Sequence, residues 1–194
     1  MKNIIILMFY YFLFLQNNFA QNCIPVAIVF TTQAQVDAFP TNYPNCTIID
    51  GNVGITGNNI TNLDSLIQIT QINGSVSILN AASISDITGL SNLTQIGGGF
   101  LITNGGVFVD FSGLNNLTTI GGQFNLSYNN GLTSFSGLNN LTTIGGQFNV
   151  SYNNGLTSFS GLNSLTTIGG QFYVEGNNSL TLLTDLKKQK TGLT

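Results

Sequence analysis

The sequence predicts an all-β fold: one elongated parallel β solenoid of 24-residue coils with a capping helix at its N-terminal end. Leucine, isoleucine and glycine recur at a fixed interval of 24 residues along most of the chain. A fixed period of 20 to 50 residues is typical of solenoids, whose stacked coils share one continuous apolar core. The repeated positions are Leu66, Leu90, Leu114, Leu138, Leu162 and Leu186; Ile72, Ile96, Ile120, Ile144 and Ile168; and Gly74, Gly98, Gly122, Gly146 and Gly170.

Each coil contains one short stretch in which polar and apolar residues alternate, as in GQFNLS. Alternation with a period of two indicates a strand with one buried face, which places Phe124 and Leu126 inward and Gln123, Asn125 and Ser127 outward. The same pattern predicts six parallel strands on one ribbon, at Val53–Ile55, Val76–Ile78, Phe100–Ile102, Phe124–Leu126, Phe148–Val150 and Phe172–Val174.

The remainder of the coil carries an apolar residue at every third position, as at Leu132, Phe135 and Leu138, which predicts an extended or 3₁₀-like path with these side chains inward. Stacking the coils predicts two buried phenylalanine columns: Phe100, Phe124, Phe148 and Phe172, and Phe111, Phe135 and Phe159. An asparagine follows the strand in several coils, where its amide is expected to satisfy main-chain groups of the bend: Asn58, Asn129, Asn153 and Asn177.

The segment before the repeat is predicted to be an N-terminal cap spanning residues 21–50. Its Thr32–Gln35 stretch fits a capping box, and a short apolar stripe follows before Pro40. An even pair of cysteines in an exported chain indicates a disulfide, so we expect Cys23 to pair with Cys46 and fasten this helix. Two unrelated buried thiols are the alternative. The predicted domains are a signal peptide at 1–20, this cap at 21–50, the solenoid at 51–186 and a tail at 187–194.

The first 20 residues have the features of a secretory signal peptide. Lys2 supplies the positive charge, Ile4 to Leu15 is unbroken apolar and aromatic sequence, and Ala20 is the expected cleavage point. An uncleaved membrane anchor is the alternative, although a span needs about 20 residues. These features predict an extracellular or cell-surface location. The Lys-rich tail at 187–194 is read either as a C-terminal cap or as the start of a truncated coil.

Charge is scarce, with 6% charged residues, and the chain has no histidine, arginine or tryptophan. No cationic side chain lies between Cys23 and Leu186. A nucleic-acid partner is not expected, because phosphate binding depends on lysine and arginine. The carboxylates are scattered singly, so no catalytic pair, metal ligand set or cofactor site is predicted.

These residues resemble the receptor L-domain family. The shared features are a cysteine pair around a helix, the run CTIIDGNVGI from Cys46 to Ile55, and coils spaced as in Leu117 to Asn129. The resemblance covers about Cys23 to Leu186. It implies a right-handed, β-helix-like and leucine-rich-repeat-like solenoid and an extracellular location. The near-identical copies look similar to the repeat-rich form of exported Bacteroidota-type bacterial proteins. The resemblance carries over no ligand.

The predicted function is a secreted or cell-surface, non-catalytic binding or adhesion module for an extracellular glycan or protein. A membrane would be reached only through an anchor that the sequence does not reveal. The alternatives are a structural spacer without a ligand, a surface that binds a lattice such as ice through threonine ladders, and a polysaccharide-active β-helix enzyme. The predicted ligand surface is the outward side of the strand ribbon, formed by Gln123, Asn125, Gln147, Asn149, Gln171, Tyr173 and Glu175.

Overall fold

A computed structural model describes residues 21–181 of the 194-residue chain. The predicted signal peptide at 1–20 and the tail at 187–194 lie outside the described residues. Two parallel β-sheets of seven strands each run side by side along the molecule. Within residues 21–181 no helix is long and apolar enough to cross a membrane.

The first sheet is built from short strands and the second from strands of four residues. The first has the order β1 (Gln21–Cys23), β3 (Cys46–Ile49), β5 (Gln71–Ile72), β7 (Gln95–Ile96), β9 (Thr119–Ile120), β11 (Thr143–Ile144) and β13 (Thr167–Ile168). The second has the order β2 (Ala27–Phe30), β4 (Asn52–Ile55), β6 (Val76–Leu79), β8 (Phe100–Thr103), β10 (Phe124–Ser127), β12 (Phe148–Ser151) and β14 (Phe172–Glu175). Every strand pairs with the equivalent strand one coil away, so this is the predicted β solenoid.

All six predicted strands are present in the second sheet, and β2 adds a seventh at its N-terminal edge. The first sheet was not predicted as a sheet. From β5 to β13 its strands have two residues each, such as Thr143 and Ile144 in β11. Two residues are too few to show an alternating pattern. These strands are therefore defined only by their pairing with the equivalent strands of neighbouring coils.

The core is a continuous apolar column, as expected. Phe124 and Phe148 stack with ring centroids 5.5 Å apart, and Phe135 and Phe159 do the same at 5.5 Å in the second column. The residues at every third position, including Leu132 and Leu138, are fully buried. Both predicted phenylalanine columns are therefore confirmed.

The predicted asparagines that follow the strands form a hydrogen-bonded column, which we call the asparagine ladder, with one correction to its members. Asn153 donates from Nδ2 to the carbonyls of Leu126 and Ser151, and its Oδ1 accepts from the backbone N–H of Asn129. Asn129 and Asn177 repeat this arrangement.

Asn58 does not belong to the ladder, although alignment of the repeats predicted that it would. Ile60 donates its N–H to Gly57, as Leu132 donates to Asn129, so Gly57 is the equivalent residue. The turn after β4 is one residue shorter than in later coils, which shifts the alignment and leaves Asn58 exposed.

The segment 21–50 contains two short helices, α1 (Gln33–Asp37) and α2 (Phe39–Asn42). The capping box is confirmed, because Thr32 accepts from the Gln35 backbone and Gln35 caps in return. Cys23 and Cys46 form the predicted disulfide between β1 and β3, with Cα atoms 5.7 Å apart.

The same segment departs from a simple cap, because it supplies strands to both sheets. Helices α1 and α2 contact the 3₁₀ turn Asp64–Leu66 of the next coil, so they occupy the side of the first coil that later coils fill with turns. Closure of the solenoid end by these helices stays a prediction.

Candidate functional site

The outward residues of the last three described coils form a surface of nine side chains, which we call the polar ribbon. Ser151 is its one buried member. The nine side chains stand in three columns along the stacked strands β10, β12 and β14. The columns are Gln123, Gln147 and Gln171; Asn125, Asn149 and Tyr173; and Ser127, Ser151 and Glu175. The structure therefore brings all seven predicted surface residues together on one face.

Hydrogen bonds within the polar ribbon fix part of its surface. Ser127 Oγ donates to Asn125 Oδ1 at 2.8 Å and lies 3.3 Å from Ser151 Oγ. Asn149 is different, because its Oδ1 is buried and has no hydrogen-bond partner. An unpaired buried acceptor is rare in folded proteins and marks a place where a donor is missing. The middle of the ribbon thus has an unused acceptor beside Tyr173, its register partner on β14.

The middle column of this face changes character in the earlier coils, which the sequence analysis did not reveal. Following that column towards the N-terminus, the register partners are Leu101, Ser77, Gly54 and Val29. Leu79 occupies the column of Ser127 two coils earlier, and half of the Val29 side chain is exposed. The middle column therefore changes from mostly small and apolar residues at one end to amides and an aromatic ring at the other.

A second feature adjoins the ribbon at the turn that follows each strand. One residue per coil at this turn has a left-handed backbone conformation, and these residues are Asn80, Asn104, Tyr128, Tyr152 and Gly176. Asparagine and glycine adopt this conformation readily, whereas for a tyrosine it is uncommon. The tyrosine rings stack with centroids 5.0 Å apart and an interplanar angle of 8°. They remain 53% and 40% exposed.

Glu175 connects this tyrosine pair to the ribbon. Tyr173 donates its hydroxyl to the Glu175 carboxylate. The negative charge of Glu175 is also the main cause of a raised pKa at Tyr152, because it disfavours the phenolate; burial and the neighbouring Tyr128 raise that pKa further. The Tyr152 ring lies over Gly176, where an added Cβ would stand 2.5 Å from Tyr152 Cδ1. We call Tyr128, Tyr152, Tyr173 and Glu175 the tyrosine corner.

The other carboxylates hold turns and neighbouring coils. Asp86 and Asp110 accept from backbone N–H groups two residues ahead, and Asp50 accepts from Asn73 Nδ2 at 2.6 Å. Among the described residues, no three histidine, cysteine, aspartate or glutamate side chains are grouped to hold a metal ion. These acids thus contribute to local structure at separate points.

The threonine ladders considered for lattice binding are used within the fold. Thr118, Thr142 and Thr166 each donate their hydroxyl to a carbonyl of the preceding coil, at 3.0 to 3.1 Å. The neighbouring ladder contains Thr119, Thr143 and Thr167 on the outer side of the first sheet. Because one of the two hydroxyl rows is committed to neighbouring backbone groups, the threonine face offers a lattice fewer free donors than expected.

A groove at the N-terminal end was not predicted from the sequence. It has a volume of about 340 Å³ and lies between β2 and the two helices. Val29, Ala38 and Tyr43 are among the residues that line it. Apolar alternation in β2 and α1 is a signal for core packing, so the sequence alone gives no reason to expect an open groove there.

Comparison with known proteins gives one family match. Residues 45–109 match the family model of the Receptor L domain, which is 65 of the 194 residues. No curated protein and no solved structure matches the chain. The match begins at the residue before β3 and extends past β8, and the polar ribbon and tyrosine corner follow it in the chain. The matched coils are therefore similar to the receptor L domain, a family of non-catalytic ligand-binding modules.

Proposed function

We propose that the protein is an exported, non-catalytic binding module of the receptor L-domain type, and that the polar ribbon contacts its ligand. The ligand class is an extracellular glycan or protein with an extended, hydroxyl-rich or amide-rich surface. The observation that carries the proposal is the ribbon itself: three in-register columns of mostly neutral polar side chains on a rigid sheet.

The chemistry of the ribbon supports a polar, uncharged ligand. Amide and hydroxyl groups can both donate and accept, so rows of them suit a ligand rich in hydroxyl or amide groups. The Asn149 Oδ1 atom has hydrogen-bonding capacity that the fold does not use, and because this atom is buried a ligand donor reaches it only when the side chain turns outward. Tyr173 is 43% exposed beside it and can stack on a sugar ring or enter a partner's pocket.

The non-catalytic part of the proposal is supported by the separation of the acids and by the family match. Export is supported by the predicted signal peptide and by the Cys23–Cys46 disulfide, since disulfides persist in oxidising compartments. Adhesion through repeated weak contacts is the mode that a regular ribbon favours.

The proposal is tested by screening the purified protein on a glycan array and on whole cells, then repeating the positive binding reactions with a Tyr173→Ala, Asn149→Ala double variant. We expect the double variant to lose most of its binding. The matched control is a Thr143→Ala, Thr167→Ala variant, which changes two outward residues of the other sheet and should bind normally.

Two results would contradict the proposal. Undiminished binding by the ribbon variant would place the contact surface elsewhere, and turnover of a polysaccharide or peptide would show that the protein is an enzyme. Raising the salt concentration should change ribbon binding little, because only one of its nine residues is charged. Complete absence of binding would favour the structural spacer.

A further inference from the structure

We propose that the tyrosine corner binds a cationic side chain, arginine or lysine, presented by a partner protein. This inference differs from the proposal for the polar ribbon because it concerns a charged group and the Tyr128–Tyr152 pair; Tyr173 and Glu175 belong to both surfaces. The site consists of the Glu175 carboxylate, the exposed Tyr173 that donates to it, and the adjoining stacked and exposed pair Tyr128 and Tyr152.

Within residues 21–181, the charge distribution leaves Glu175 without a counter-ion. Residues 21–181 contain six acidic residues and no lysine, arginine or histidine. Five of the acids are aspartates outside the polar ribbon, and Glu175 is its single charge. The bond from Tyr173 uses part of the carboxylate, which has about four acceptor positions. Acceptor capacity therefore remains for one cationic group.

The rings supply the second half of the site. A cation near tyrosine rings is attracted by their π-electrons, and arginine makes this contact more often than lysine. The rings of Tyr128 and Tyr152 stand exposed at the turns after their strands, where a long side chain can reach them. Such a side chain can lay its methylene stem against the edges of Tyr128 and Tyr152 and place its charged end at Glu175.

The backbone indicates that these tyrosines are not a local folding requirement. The same left-handed turn position is filled by asparagine in two earlier coils and by glycine in the next. A tyrosine there is less favourable in local conformation than asparagine or glycine, and stacking of the two rings offsets part of that cost. An unfavourable backbone conformation that is kept at two exposed tyrosines is typical of a functional site, which supports a binding role for this pair.

The test is an NMR titration of the full chain, following the tyrosine ring signals as N-acetylarginine amide is added. N-acetylcitrulline amide is the matched control ligand, because it keeps the shape and removes the charge. We expect saturable shifts with the arginine derivative, weakened by rising salt as for exposed charges, and about tenfold weaker shifts with the citrulline derivative. Glucosamine serves as an amino-sugar probe and is expected to bind more weakly than the arginine derivative.

Each variant introduces the residue that an equivalent coil already has at that position, so the solenoid should still fold. Tyr152→Asn reproduces the residue at 104, and Glu175→Ser reproduces the residue at 151. Each should weaken arginine binding about two- to fivefold, and the control Asn104→Gly at the same turn position should leave it unchanged. Unfolding curves for all three variants check that the solenoid is intact.

Each outcome decides the question. Equal shifts with the arginine and citrulline derivatives, or no shifts with either, would overturn the proposal. Loss of binding in Glu175→Ser but not in Tyr152→Asn would reduce the site to a surface charge and also overturn it. A preference for glucosamine would reject a protein partner. A failure here leaves salt-insensitive ribbon binding intact, so the two proposals fail separately.

Discussion

At the scale of single residues, the coil places inward and outward side chains next to each other with very different roles. Phe148 is fully buried and contacts the rings of Phe124 and Phe172 at centroid distances of 5.5 Å and 5.0 Å. Gln147, its neighbour in the chain, lies on the polar ribbon and is half-buried. Asn153 shows that inward positions also accept polar groups when every donor and acceptor is paired.

Replacing Phe148 by alanine should lower the free energy of unfolding by roughly 3–5 kcal/mol, because it removes buried ring contacts and leaves a cavity between two stacked rings. Replacing Gln147 by alanine should change the same quantity by less than about 0.5 kcal/mol, since the side chain lies on the surface. Urea denaturation of both variants gives the comparison. Similar losses at the two positions would show that the inward and outward faces are misassigned.

At the scale of elements, the close approach of consecutive coils depends on glycines just after the first sheet. A Cβ on Gly145 would lie inside van der Waals contact with the Gly121 carbonyl of the preceding coil. The same restriction holds for Gly121 against Gly97 and for Gly169 against Gly145. Gly54 in β4 is different, because its added Cβ would meet only side-chain atoms, of Val29 at 3.3 Å and of Ser77 at 3.7 Å.

A Gly145→Ala variant should therefore be destabilised by about 1–3 kcal/mol, the usual cost of forcing atoms into a packed region. Gly54→Ala should be neutral or stabilising by up to roughly 1 kcal/mol, because alanine restricts the unfolded chain and the valine can adjust. Thermal unfolding of the two variants measures both effects. A Gly145→Ala protein as stable as the original would mean that the coils are further apart at this turn.

Much of this element level could be predicted from the sequence, and the failures have physical causes. The strands with Phe124 and Phe148 were predicted because two buried positions alternate with polar ones. The first sheet was missed because its pairing depends on contacts 24 residues away, not on a local pattern. Asn58 was misplaced because one residue is absent from the turn after β4. The tyrosine corner was missed because Tyr128 and Tyr152 occupy a position that earlier coils fill with asparagine. A change from asparagine to tyrosine does not indicate that the backbone there is left-handed.

At the scale of the whole molecule, stability is distributed along a stack in which each coil contacts mainly its neighbours. The hydrogen bonds that join coils are repeated at the same atoms, as in Thr142 to Thr118 and Thr166 to Thr142. In such an array the free energy of unfolding is approximately the sum of coil and interface contributions. The N-terminal coil is additionally held by the disulfide.

Deleting residues 123–146, one complete coil, should leave a folded and slightly less stable solenoid, because Phe148 would then replace Phe124 as the partner of Phe100. Deleting only residues 123–134 should abolish cooperative folding, since half a coil moves every later side chain out of register. Circular dichroism during denaturation distinguishes these results. Equal disruption by the two deletions would contradict a modular stack.

Because the interstrand bonds run along the stack, the molecule also has a characteristic response to mechanical force. Pulling on the two ends would detach coils one at a time, and each event would release 24 residues, or roughly 80 Å of extended chain. The segment between Cys23 and Cys46 is covalently closed and would not lengthen. Under load the molecule would thus lengthen in nearly equal steps, and its disulfide-closed first coil would limit the final extension.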